Sequence, residues 1–365
     1  MLEPRAGASM QPVDATETTP VVGIADEPAA VALPQPTLKE MAAGFGCLLA
    51  VTAAAWTLAV VFKLVRGNHA EPRVKPTNAL WSLGLVLLVS LVVYVAAAAV
   101  IISLGSSTPA DDGPAGGIGT RALVINGIVT VIGVLALLAS LIAAQRALGA
   151  PALGLAPGRM GRGVLLGLAW LLVIMPTMFM ANLLMVLVRQ GLGFTDTPMH
   201  SLLEAMQGSE SPLFLVLALT TAVTLAPLSE ELVFRGLIQT LLVFTTARLI
   251  LARPVDEPLA AEVVANPLAE PLKPLSYASV PTAEQQAPSV PALATWTGIV
   301  LASIPFALLH EPWSIPLIFL LAVLMGWAYE RTQNLWTPIT IHFGFNLFNS
   351  LMLLAGMWLQ SPGGN

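Results

Sequence analysis

An all-α membrane bundle of about eight transmembrane helices is the fold this sequence predicts, and three observations carry the prediction. The first is composition: 56% of the 365 residues are hydrophobic, 10% are charged and the mean hydropathy is +0.80. Soluble domains carry roughly 25% charged residues. The second is a recurrence of apolar runs near the length, about 20 residues, that a helix needs to cross a hydrocarbon core about 30 Å thick. The third is the placement of Lys and Arg, which gather in alternate loops as they do on the cytoplasmic side of membrane proteins.

Residues 1–38 are rich in Pro, Thr, Ala and acidic side chains and lack the basic start and apolar core of a secretory signal, so they read as a disordered tail. Eight apolar runs follow, at 41–62, 79–104, 122–144, 164–188, 213–250, 293–309, 315–329 and 336–359. The fifth is expected to break near Pro227, because proline lacks an N–H and crowds the carbonyl of the preceding turn. The sixth and seventh are short and need cover from neighbouring helices. Between the fifth and sixth runs, residues 252–291 hold eight prolines and read as a mobile loop. The chain thus divides into the tail (1–38), an N-terminal set of transmembrane helices (39–211) and a C-terminal transmembrane region (212–365).

Lys63, Arg66, Arg73 and Lys75 follow the first run, and Arg146, Arg159 and Arg162 follow the third. Arg248, Arg253 and Lys273 close or follow the fifth, and Arg331 follows the seventh, so these loops hold eleven of the sixteen basic residues. This alternation agrees with eight crossings and puts both termini outside the cytoplasm, with the plasma membrane as the expected location. The net charge of -5, with no basic run, excludes a nucleic-acid partner and leaves the lipid bilayer and membrane-associated molecules. The single cysteine, Cys47, forms no internal disulfide and offers no cysteine cluster for a metal.

An ionised side chain at the bilayer centre costs at least about 2.5–3.5 kcal/mol, so polar residues inside the apolar runs call for a function. In the fifth run Glu231 and Arg235 are spaced i,i+4 on one helix face and suit an ion pair, while Glu230 points about 100° away. Arg235 would neutralise Glu231 and leave Glu230 as the carboxylate available for general-base work. The blander reading is that both carboxylates satisfy Arg235 and lock two helices together.

Phe306 lies one turn before His310, and its ring could wall the imidazole. Pro312 and Ser314 exclude a His-Glu-x-x-His zinc signature here. His342 and Asn346 share one face of the last run, where both could donate to one developing oxyanion or simply bind two helices together. Glu330 and Arg331 read as markers of the membrane interface.

Glu-Glu-x-x-x-Arg at 230–235, Phe-x-x-x-His at 306–310 and His-x-x-x-Asn at 342–346, in this order and each on an apolar helix, resemble the CAAX protease and bacteriocin-processing (CPBP, or Abi) family of intramembrane proteases. The similar region runs from Leu225 to Leu353, and the loop at 252–291 is longer than the family usually has. The resemblance implies an endopeptidase in which Glu230 and His310 activate water, His342 and Asn346 stabilise the oxyanion, and Glu231, Arg235 and Phe306 support them. It leaves open whether the enzyme is glutamate-dependent or a metalloprotease, in which case Glu230, His310 and His342 could ligate zinc with water in the fourth position, and whether its membrane-associated substrate is a prenylated CAAX-type protein or another peptide.

One geometric difficulty accompanies this expectation. His310 ends an outward crossing, whereas His342 falls six residues, roughly 9 Å, from the inward end of the last one. Convergence requires a recessed bundle or shifted helix boundaries. The same buried Glu and His would suit a transporter's ion pathway, but no inverted repeat accompanies them. A scaffold or immunity protein that kept the fold without turnover is the remaining alternative.

Overall fold

The computed structural model describes residues 38–64, parts of 84–96, 120–148, 154–194, 204–206, 209, 211–251 and 290–360. The expected tail and Pro-rich loop lie outside the described residues except at their last positions, as does most of the expected span at 79–104. The chain divides into residues 1–43 and 44–365, and the contacts described below all lie within the second unit.

Among the described residues the structure is entirely helical, with no strand. The helices are α1 (Leu38–Val61), α2 (Thr120–Leu148), α3 (Pro157–Gly191), α4 (Pro212–Leu251), α5 (Ala292–Leu308), α6 (Ile315–Thr332) and α7 (Trp336–Gln360). A 3₁₀ turn at Pro312–Ser314 leads into α6. Six candidate spans are long and apolar enough to cross a membrane, and α5, with 17 residues, is shorter. Large apolar side chains such as Leu165, Leu172, Leu293 and Leu308 are exposed. Such outward faces are stable in lipid, where every backbone group must be satisfied inside the helix. The chain is an all-α multi-pass membrane protein.

α4 runs for 40 residues, roughly 60 Å of helix and twice the hydrocarbon thickness. The expected break at Pro227 does not occur. The turn before it, Thr221–Leu225, is π-helical, and the Ala226 N–H bonds to the Thr221 carbonyl five residues back. In that register Pro227 would have donated to Ala222, so widening the turn confines the loss to one carbonyl. A second π-helical stretch, Leu232–Gln239, follows the two glutamates. Such local widenings are common at functional sites.

α3 and α7 pack through small residues. A Cβ on Gly167 would lie 2.5 Å from Thr340 Cβ and 2.8 Å from the Thr337 carbonyl, so only glycine permits this approach. Thr337 Oγ1 donates to the Gly163 carbonyl (3.3 Å) and Asn334 Nδ2 to the Arg159 carbonyl (3.0 Å). α6 ends at Gln333 in the left-handed conformation (φ 47°), and the short turn that follows lets Asn334 Oδ1 accept from the Trp336 N–H at 3.1 Å. The turn folds α7 back beside α6 and brings His342 into the interior. Trp56, Trp170, Trp296 and Trp327 join α1, α3, α5 and α6 in one aromatic cluster with centroid separations of 5.4–6.4 Å.

Candidate active site

Glu231, Arg235 and Gln239 fall at i, i+4 and i+8 and form one buried polar stripe along α4. Arg235 Nη1 donates to Glu231 Oε1 at 3.0 Å, with side chains 2% and 0% exposed. Arg235 Nη2 donates to the Ala322 carbonyl of α6 at 3.3 Å. The guanidinium also lies over the Phe306 ring, 4.3 Å from its centroid. A charge buried this thoroughly persists only with such partners, and removing one typically costs about 3–5 kcal/mol.

His342 reaches the same stripe from α7. Its Nδ1 lies 2.9 Å from Glu231 Oε1, which therefore accepts from both Arg235 and His342. A carboxylate flanked by a guanidinium can only accept, so Nδ1 carries the hydrogen. The other ring nitrogen, Nε2, faces Glu230 Oε2 at 3.9 Å. Glu230 Oε2 and Glu231 Oε2 are buried without a hydrogen-bond partner. Buried polar atoms are rarely left so, and a donor from water or another molecule would satisfy them.

His310 lies just beyond the C-terminus of α5. Its Nδ1 is 2.8 Å from the Phe306 carbonyl, which can only accept, so here too Nδ1 holds the hydrogen and Nε2 keeps its lone pair. The Phe306 ring is the common neighbour, 5.1 Å from the His310 ring and 5.9 Å from the His342 ring. α5 is short and antiparallel to the long α4, so its end meets the middle of α4, where Phe306 packs on Phe234 and Arg235.

Asn346 occupies the face expected for it, but its partner differs from His342's. Its Nδ2 donates to the Ala222 carbonyl at 2.8 Å, the one that Pro227 leaves vacant. One of its two N–H groups therefore repairs α4, and the other remains for a second acceptor.

The residue types present suit zinc, and each imidazole donates Nδ1–H to an oxygen as ligating histidines do. Among the described residues, however, no three His, Cys, Asp or Glu side chains are gathered closely enough to hold an ion. Glu230, His310 and His342 do not form a ligand set in this arrangement.

Gln239 escaped the sequence reading, and Glu330 was read there only as an interface marker. Gln239 Nε2 donates to the Gly326 carbonyl at 3.1 Å and to Glu330 Oε1 at 2.9 Å. The available signal was the spacing, since Gln239 continues the Glu231–Arg235 stripe by one more turn.

A multi-pass helical protein with carboxylates, imidazoles and a guanidinium gathered inside its apolar helices belongs to the class of membrane proteins with an intramembrane polar site. Residues 212–348 match the family model described as Rce1-like, type II CAAX prenyl endopeptidase Rce1-like. At family level the match supports a CAAX-type intramembrane protease, and it spans Glu230, Glu231, Arg235, Phe306, His310, His342 and Asn346. No match was found among curated proteins or solved structures.

Proposed function

We propose that this chain is an intramembrane endopeptidase that cuts a peptide bond in a membrane-associated protein, with a prenylated CAAX-type C-terminus as substrate class. The observation that carries the reading is His342, bound through Nδ1 to Glu231 while Nε2 faces the unpartnered Glu230 Oε2 at 3.9 Å. The description of the matching family supports the substrate class, and a lipid-modified tail would explain why the polar groups lie among apolar helices.

In this mechanism a water donates one hydrogen bond to Glu230 Oε2 and the other to His310 Nε2. Glu230 removes a proton as the water oxygen bonds to the peptide carbonyl carbon. The oxyanion accepts Nε2–H of His342, whose Nδ1–H is held by Glu231, and the second N–H of Asn346. Collapse of the tetrahedral intermediate breaks the C–N bond, and the proton held by Glu230 passes to the leaving amine. Each side chain ends as it began. The distribution of Lys and Arg places both termini outside the cytoplasm in this reading.

The test is Glu230→Gln in protein reconstituted into liposomes with a prenylated CAAX peptide. The variant should fold and insert normally yet lose cleavage by at least about 1,000-fold, the scale of a lost catalytic base together with its water. Turnover near the wild-type rate would remove Glu230 from the mechanism.

A further inference from the structure

We infer that Gln239 and Glu330 form a register pin between α4 and α6, and that they are positioning residues for the site through Arg235, Glu231 and His342. The inference rests on the peptidase reading above. α4 and α6 run parallel here and are joined by a ladder: Arg235 to the Ala322 carbonyl, then one turn later Gln239 to the Gly326 carbonyl. Both contacts are to backbone oxygens, and every turn of α6 offers another such oxygen on that face. They bind the helices together but do not choose between registers one turn, about 5.4 Å, apart.

Glu330 makes that choice. Its Oε1 accepts the other Gln239 N–H at 2.9 Å, and its Oε2 accepts from Gln333 Nε2 at 3.2 Å, where α6 ends in a left-handed residue. The carboxylate is thus fixed at a defined height on α6. Gly326 admits the amide, since a Cβ there would lie 2.7 Å from Gln239 Oε1. Gln239 is 1% exposed, and a single buried polar side chain is a well-attested means of fixing helix register. The pin sets the height of Arg235, whose guanidinium sets Glu231 Oε1, which in turn orients His342.

Four variants in liposomes with the same prenylated peptide test this. Glu330→Gln keeps an acceptor oxygen for Gln239 and should hold kcat near wild type. Glu330→Leu removes the acceptor, and Gln239→Glu sets two carboxylates against each other. Both should lower kcat about 10- to 100-fold with KM within about twofold, as expected when aligned groups shift by roughly 1 Å. The exchange Gln239→Glu/Glu330→Gln restores an amide-to-carboxylate bond with its ends reversed and should recover most of kcat. Wild-type kcat in Glu330→Leu and Gln239→Glu overturns the inference. So does a loss that the exchange fails to recover, or one that only follows loss of folded protein on thermal unfolding. Glu231→Gln and His342→Gln separate the two readings: if both retain turnover, the peptidase mechanism fails, whereas if both lose it while the pin variants do not, only the pin fails.

Discussion

Asn346 donates to the Ala222 carbonyl at 2.8 Å, and Ala222 is the residue whose acceptor Pro227 leaves unfilled in the π-helical register of α4. A proline beside the two glutamates is thereby tolerated inside a continuous helix. The repair comes from α7, so the segment bearing Glu230 and Glu231 keeps its course only while α7 is docked.

This pairing predicts a coupling. Asn346→Asp turns an oxygen toward the Ala222 carbonyl and should lower stability by about 1–3 kcal/mol, the cost of a buried acceptor without a donor. Pro227→Ala returns an N–H to α4, so in that background the same change should cost less. Thermal unfolding of the four proteins in detergent gives the interaction energy. Strict additivity would separate Asn346 from the proline.

Arg235→Met leaves Glu231 as a buried charge with only His342 beside it and should destabilise by about 3–5 kcal/mol. Arg235→Met with Glu231→Gln removes the charge as well as its partner and should regain most of that loss. The double variant should still be inactive, because His342 loses the carboxylate that orients its ring. Chemical unfolding followed by a peptide-cleavage assay would check both halves, and an active double variant would contradict the orienting role of Glu231.

Gly167→Ala places a Cβ 2.5 Å from Thr340 Cβ and forces α3 away from α7. A loss of about 1–3 kcal/mol is expected, as for overpacking elsewhere. Gly161, on the same helix, has nothing within 4 Å of a built Cβ, so Gly161→Ala should leave the melting temperature unchanged or slightly raised. Equal effects at the two positions would mean that the α3–α7 approach is looser than described.

The membrane spans were legible because hydrocarbon imposes a length and a composition on any helix that crosses it, and seven of the eight expected runs coincide with described helices. The Glu231–Arg235 pair was legible for a local reason, since i,i+4 spacing on one helix needs no tertiary knowledge. The continuity of α4 through Pro227 was not, because its compensation comes from Asn346 in a different helix. Nor was the choice between glutamates: single-helix geometry assigned Glu231 to Arg235 but could not show that His342 would bind the same oxygen. Gln239 went unnoticed because it is uncharged, and a scan for charges in apolar runs passes over it.

The aromatic cluster at the junction of four helices has a practical consequence for following this protein in its bilayer. Trp56 and Trp327 stack at 5.8 Å with planes 18° apart, and Trp170 meets both edge-on. Indoles this close exchange excitation energy, so near-ultraviolet dichroism and emission colour should register small relative movements of α1, α3, α5 and α6. Such movements could then be timed with unlabelled protein.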